Sequence, residues 1–206
     1  MKFSVVTIVY NEEKRLAASL NQFGTYTDDI VVIDTESMDK TSEIAKTFTK
    51  KVLTVPFVGY PDCYKESAML RSKYDWCLFS YPDEIWPTKL LDFLTKIDEN
   101  IEEKCVAFKR QELMDGVVKS VISGWHYRVF KKGYFYLCDL ADKEIDCGYK
   151  TLEVDMEIIH SKTSEEFAID RDLRKKSYNC LLTKYRFTLL EPYRTMCDSY
   201  RGDYDK

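Results

Sequence analysis

The chain has 206 residues, 45% of them apolar and 32% charged, which is ample for the core of one globular domain and unlike a disordered or fibrous sequence. Its net charge of −4 supplies no basic field for nucleic acid, and its aromatics are not interleaved with a Lys/Arg stripe, which speaks against nucleic acid as the main partner. No run approaches the ~18 apolar residues of a membrane span, and the apolar opening before Asn11 is too short, and lacks the cleavage site, for a secretory leader. The seven cysteines are odd in number and contain no C-x-x-C pair, which argues against a zinc ribbon and fits free thiols in a reducing cytoplasm.

In chain order, residues 1–80 alternate strand and helix. Strands are predicted at 3–9, 30–34, 51–55 and 75–80, and helices at 12–23, 39–49 and 62–72. Such alternation makes a parallel sheet covered by helices on both faces, and the β-branched runs Val5-Val-Thr-Ile-Val9 and Ile30-Val-Val-Ile33 suit strands buried on both sides. Asp39 is a plausible cap for the second helix. After Pro82 and Pro87 the pattern changes. A helix at 88–98 leads to strands near 105–110 and 117–122, then to an aromatic strand region from Trp125 to Leu137 with a Lys-Lys-Gly turn inside it. Residues 164–190 have helical spacing, and Tyr193–Lys206 is a polar, Tyr-rich tail.

Three of the early strands end in polar or acidic residues, at Asn11-Glu12, Asp34 and Asp83-Glu84. Acids at the carboxyl ends of parallel strands face a common crevice, where metal and phosphate chemistry is usually done.

The segments Thr7-Ile-Val-Tyr-Asn-Glu-Glu13, Val32-Ile-Asp-Thr-Glu-Ser-Met-Asp-Lys-Thr41 and Asp75-Trp-Cys-Leu-Phe-Ser-Tyr-Pro-Asp-Glu84 resemble, in order and spacing, the family 2 glycosyltransferases of GT-A fold, which use nucleotide-sugar donors. Together they cover the first 84 residues. Gly124-Trp-His-Tyr-Arg-Val-Phe130, Lys143-Glu144 and Ile159-His160 resemble the acceptor half more weakly. The resemblance implies one α/β domain over residues 1–206, a Rossmann-like, mostly parallel central sheet flanked by helices with a small added β region. Residues 1–84 form its nucleotide-sugar-binding half, 85–163 its acceptor half and 164–206 a C-terminal helix and tail. It also implies that Thr7, Val9, Tyr10, Asn11 and Glu12 pack on the base and ribose, with Asp34 bonding the base or ribose. Tyr10 as strand-end packing and Asp34 as a turn former are the structural alternatives.

The family carries Asp-x-Asp after the fourth strand, binding a divalent cation on the donor diphosphate, whereas this chain has Tyr81-Pro82-Asp83. Asp83 keeps the position that contacts Mn²⁺ or Mg²⁺, Glu84 offers another oxygen, and His160 resembles the late histidine that completes the metal site. A Pro-Asp surface turn and a structural histidine are the alternatives. The resemblance further implies inverting transfer, with a carboxylate taking the acceptor hydroxyl's proton. Glu144 is the first choice and Asp142 the second, and Lys143 stands where histidine is usual. Arg128 either approaches the diphosphate or forms a structural salt bridge, and His126 is packing or acceptor wall.

The expected partners are a nucleotide-diphosphate-sugar donor and a glycan, lipid-linked or protein acceptor. The basic residues of the 164–190 helix suit peripheral contact with a membrane bearing a lipid-linked acceptor, although Asp170, Asp172 and Glu191 dilute them. The short acceptor half leaves room for a homodimer partner to complete the pocket. A competing reading, motivated by Tyr81 and Lys143, is a catalytically silent nucleotide-sugar-binding protein of the same fold.

Overall fold

The computed structural model describes residues 1–57, 64–134 and 150–169. One eight-stranded sheet organises them, in the order β3-β2-β1-β4-β7-β6-β8-β5. Strands β1 (Phe3–Val9), β2 (Ile30–Asp34), β3 (Val52–Thr54) and β4 (Trp76–Phe79) are mutually parallel, alternating with helices α1 (Leu16–Asn21), α2 (Thr41–Phe48) and α3 (Lys65–Arg71). Every residue of β1 is buried, as expected for a central strand covered on both faces. The first half therefore follows the predicted alternation.

The second half is built differently. After β5 (Glu84–Ile85) and α4 (Thr88–Lys96), strands β6 (Cys105–Met114) and β7 (Val117–Lys131) form a long hairpin, and β8 (Thr151–Lys162) runs parallel to β6. Antiparallel β7 docks this hairpin on β4. The sequence suggested separate strands near 117–122 and from Trp125, where β7 is one strand that passes through Gly124. The hairpin turns at Asp115-Gly116, whose φ values of 53° and 75° match a two-residue turn with both central residues left-handed. The Lys-Lys-Gly turn is present, with Gly133 at φ 79°. Helix α4 buries Leu90, Leu91 and Leu94 beneath the sheet, where Phe23, Trp86 and Phe108 meet edge to face. Cys77 and Cys105 are buried, and burial pushes the Cys77 thiol up to about 11.

The Phe79–Glu84 connection fixes the curvature. In a flat sheet β4 and β5 would lie four strand spacings apart, about 19 Å. The five residue steps from Phe79 to Glu84 reach at most about 18 Å fully extended. They are not extended, since Glu84 N donates to Tyr81 O in a turn at 3.0 Å. The sheet must therefore curl until its far edge returns beside β4. A buried ion pair joins the curled parts. Arg128 on β7 donates from Nε and Nη2 to Glu84 Oε1 at 3.0 and 2.9 Å, and the Tyr81 amide donates to Glu84 Oε2 at 3.2 Å. Arg128 and Glu84 are 4% and 1% exposed, so the pair is almost wholly out of water.

At the opposite end of the sheet Asp29, also buried, accepts from Lys51 Nζ and from the Lys73 amide, tying the starts of β2 and β3 to the loop before β4. Burial favours the protonated form, yet the hydrogen bonds from Lys51, Ser4 and Lys73 outweigh it and leave the Asp29 carboxyl below its ordinary range. Among the described residues no helix is long and apolar enough to cross a membrane.

Glu84→Gln takes the carboxylate from a buried guanidinium and is expected to cost about 3–5 kcal/mol, whereas replacing Arg128 and Glu84 together with Met and Leu should recover most of that loss. Chemical denaturation of the three variants checks this; a small loss in Glu84→Gln would contradict the pair's role. For Asp29, the depressed pKa means its contribution is present above the ordinary carboxylate pKa and is lost as pH falls through the folded value. Asp29→Asn should therefore cost about 2 kcal/mol at pH 7 and much less near pH 3, read from melting temperatures against pH.

Candidate functional site

The crevice lies at the carboxyl ends of β1, β2 and β4. The chain leaves β1 for β2 on one side and returns through β3 to β4 on the other, so β1 and β4 flank the point where strand order reverses, the usual ligand position in open α/β sheets.

One wall is made by the loops after β1 and β2, laced into a unit. Asn11, at φ 54°, donates from its amide to Ser37 Oγ at 2.9 Å and accepts from the Met38 amide at 2.8 Å. The Glu12 amide donates to Thr41 Oγ1, and Asp39 accepts from the Glu13 and Thr41 amides. With the amides of residues 11–13 committed to the neighbouring loop, α1 begins at Leu16 rather than at the predicted residue 12. Asp39 holds the first turn of α2 and also bonds across to Glu13, a second role beyond the expected cap.

Tyr10 projects from the end of β1 and stacks on Phe57, with ring centroids 4.1 Å apart. Phe57 is set by its amide, which donates to Glu36 at 3.1 Å, and Glu36 itself adopts the left-handed φ of 57°. A glutamate held in that conformation marks a loop whose shape is imposed by its surroundings. Asp34 is 2% exposed and accepts from the Ser37 amide at 3.0 Å. Thr7 and Val9 are buried within β1, so of the residues assigned to the base and ribose, Tyr10, Asn11 and Glu12 lie on the rim while Thr7, Val9 and Asp34 lie beneath it.

The other wall follows β4. The Arg128 guanidinium lies 5.2 Å from the centroid of the Tyr81 ring. The β5–β8 register sets Glu84 opposite His160, and the Ser161 amide donates to Asp83 O at 2.8 Å, so Asp83 is fastened to β8 through its backbone. Its side chain meets two residues of that strand: Asp83 Oδ2 lies 3.0 Å from His160 Nε2 and 3.0 Å from Lys162 Nζ. His160 Nδ1 contacts Glu112 Oε2 on β6 at 2.5 Å, and Arg110 Nε approaches the other Glu112 oxygen at 2.6 Å. Burial alone would raise the Asp83 carboxyl, but the His160 hydrogen bond and the charges of Lys162 and His160 hold it well below the usual carboxylate range. For His160, burial opposes protonation, and the Asp83 and Glu112 carboxylates overcome it and raise the imidazole pKa.

Arg15 joins the first wall to the segment after β8. It donates to Glu12 from Nε and Nη2 at 2.9 Å each and lies 3.4 Å from Glu166. Glu166 belongs to a capping box, accepting from the Thr163 amide while its own amide donates to Thr163 Oγ1, at the start of the helical turn at 164–169.

The donor set suits a hard divalent cation. Asp83 Oδ2 and His160 Nε2 are about as far apart as two neighbouring ligands each ~2.1 Å from one octahedral ion. Glu112 on Nδ1 is the carboxylate that commonly orients a metal-bound histidine. Asp83 and His160 would be the two side chains holding such an ion; no group of three or more His, Cys, Asp or Glu side chains able to hold a metal occurs among the described residues. Glu84, offered by the sequence as a further metal oxygen, is instead committed to Arg128 and the Tyr81 amide.

The sequence therefore brought Tyr10, Asn11, Glu12, Asp83 and His160 to one crevice. It missed Phe57, Glu112, Lys162 and Arg15. Lys162 was accessible in principle, since a strand's period of two puts it on the same face as His160. Glu112 depends on the β6–β8 register, which no local pattern specifies. Glu144 and Asp142 lie outside the described residues.

The family model described as Glycosyl transferase family 2 matches residues 4–102. An uncharacterized glycosyltransferase of Rickettsia typhi is 38% identical over 91 residues, covering 44% of this chain and 31% of the relative, and one of Rickettsia prowazekii is 36% identical over the same shares. The chain thus matches about a third of the length of these relatives. Among solved structures, S. aureus TarS 1-349 in complex with UDP-GlcNAc superposes with a TM-score of 0.61 at 16% identity, covering 96% of this chain and 70% of that one. Glucosyl-3-phosphoglycerate synthase of Mycobacterium tuberculosis, in complex with Mn²⁺, UDP-glucose and phosphoglyceric acid, gives 0.55 at 15% identity, covering 88% and 79%. The sequence similarity to glycosyl transferase family 2 runs through the strands that frame the crevice, over just under half of the chain, and the sheet shared with these structures gives the chain the GT-A fold.

Proposed function

We propose that the protein transfers a sugar from a nucleotide-diphosphate donor to a hydroxyl of a glycan, lipid or protein acceptor, with inversion and with help from Mn²⁺ or Mg²⁺. The observation that carries this reading is the pairing of an aromatic and amide-lined wall at Tyr10–Glu12 with the Asp83–His160 pair across the strand-order reversal. An aromatic platform suits a nucleoside, and hard oxygen and imidazole donors suit the cation of a diphosphate.

In this scheme the base and ribose lie along Tyr10, Asn11 and Glu12. Asp83 and His160 would hold the divalent cation, which supplies charge stabilisation for the departing diphosphate. The Arg128 guanidinium, buried against Glu84, props Tyr81 and Asp83 from behind rather than reaching the phosphates. The acceptor oxygen attacks the anomeric carbon as the bond to the diphosphate breaks, and a carboxylate removes the acceptor proton. Glu144 is the first candidate for that base and Asp142 the second. Uridine diphosphate sugars are the first donors to test, since both solved structures named above hold one. One domain acting in the cytoplasm, peripheral at a membrane where the acceptor is lipid-linked, and a homodimer completing the acceptor pocket, accompany this reading.

A catalytically silent sugar-nucleotide-binding protein is the second reading. It is favoured by Tyr81 in place of the first metal acid and by the engagement of both Asp83 and Glu84 with basic side chains. Donor binding without transfer or donor hydrolysis, across varied acceptors with Mn²⁺, would select it.

Ligand binding to the native state raises the melting temperature by mass action, so donor binding can be read without knowing the acceptor. UDP-sugars with Mn²⁺ should stabilise the protein, by about 2.7 kcal/mol at a hundredfold excess over Kd. Asp83→Ala should abolish the Mn²⁺-dependent part. No shift with UDP-, GDP-, CMP- or dTDP-sugars would sink the proposal.

A further inference from the structure

Lys162 ends β8 and is 9% exposed. It stands two residues after His160, on the same face of the strand, and both basic groups meet the same Asp83 oxygen at 3.0 Å. Asp83 cannot withdraw from the lysine by a shift of its main chain, because the Ser161 amide holds Asp83 O at 2.8 Å and β5 is registered on β8 through Glu84 and His160. A cation approaching the oxygen that suits a metal therefore meets an ammonium already in place.

We infer that Lys162 is a built-in competitor of the divalent cation: its ammonium holds Asp83 Oδ2 and must swing aside for Asp83 and His160 to bind metal together. The inference rests on the proposed role of Asp83 and His160 as metal ligands. A dication and an ammonium within a few ångströms of one partly buried carboxylate repel each other strongly, so the two are alternatives at that oxygen. The displaced side chain has an anionic destination, since Glu166 lies near enough to feel its charge and the donor diphosphate offers another. Metal is thereby bound well only together with the nucleotide, which gives Lys162 a new partner. The same arrangement accounts for how the crevice tolerates Tyr81: with one acid fewer, the lysine neutralises the remaining carboxylate until metal and diphosphate arrive as a pair.

The test is Mn²⁺ binding to the full chain, followed by the electron paramagnetic resonance of free Mn²⁺, with and without UDP, in wild type, Lys162→Met, Lys162→Gln and Lys162→Arg. Near-ultraviolet circular dichroism checks that each variant is folded, and the glutamine variant serves if the methionine variant is not. Without nucleotide, Lys162→Met or Lys162→Gln should bind Mn²⁺ on the order of tenfold more tightly than wild type, while Lys162→Arg stays close to wild type because it keeps the charge. UDP should strengthen Mn²⁺ binding more in wild type than in Lys162→Met. Adding Asp83→Asn to Lys162→Met should remove the gained affinity, and retention of that gain would overturn the inference. Equal affinities in wild type and Lys162→Met, with binding lost in Asp83→Asn, would overturn the role of Lys162 and leave Asp83 a metal ligand. No Mn²⁺ binding by any variant, even with UDP, would overturn both.

Discussion

The five steps of chain from Phe79 to Glu84 are the constraint on which the arrangement depends. They are too short to reach the far edge of a flat sheet, so the sheet curls and brings β8 back to the end of β4. Every contact of Asp83 follows from that return. The buried Arg128–Glu84 pair sits at the join, and its worth lies less in net stability than in specifying one closure, since a carboxylate and a guanidinium this buried tolerate few alternative partners.

The two walls of the crevice are held by different physics. The wall after β1 and β2 is a mesh of backbone amides bonded to short polar side chains, Asn11, Ser37, Asp39 and Thr41, which fix loop shape at little side-chain entropy. The wall after β4 is a chain of acidic and basic side chains running Arg110, Glu112, His160, Asp83 and Lys162. The first is suited to shape recognition of a nucleoside, and the second changes with any charge that enters it. Arg15 ties the first wall to the segment after β8, because its guanidinium meets Glu12 on one side and Glu166 on the other.

Asp83 illustrates why the identity of a motif residue does not settle its chemistry. Two basic groups from one strand hold its carboxyl below the usual carboxylate range, and it is already partnered. The missing first acid, replaced by Tyr81, removes negative charge, while Lys162 adds positive charge at the same place. Both changes make the surroundings of Asp83 less negative.

Local sequence was sufficient for the first half of the fold. The β-branched runs, the helix-period segments between them and the acids at the strand ends specify a parallel sheet with one crevice, because each strand of such a sheet is buried on both faces and signals itself without reference to its neighbours. Tyr10, Asn11, Glu12, Asp83 and His160 were legible for that reason or through their family resemblance. The aromatic residues from Trp125 onward pointed to strand in the second half, though not to one strand running unbroken from Val117 to Lys131. Tertiary structure alone decided that Glu112 orients His160, that Lys162 shares the Asp83 oxygen, that Glu84 belongs to Arg128, and that Phe57 meets Tyr10. These pairs lie 79, 44 and 47 residues apart in the cases of Lys162–Asp83 and Arg128–Glu84 and Phe57–Tyr10, separations at which strand register and sheet curvature, and no local pattern, determine which side chains touch.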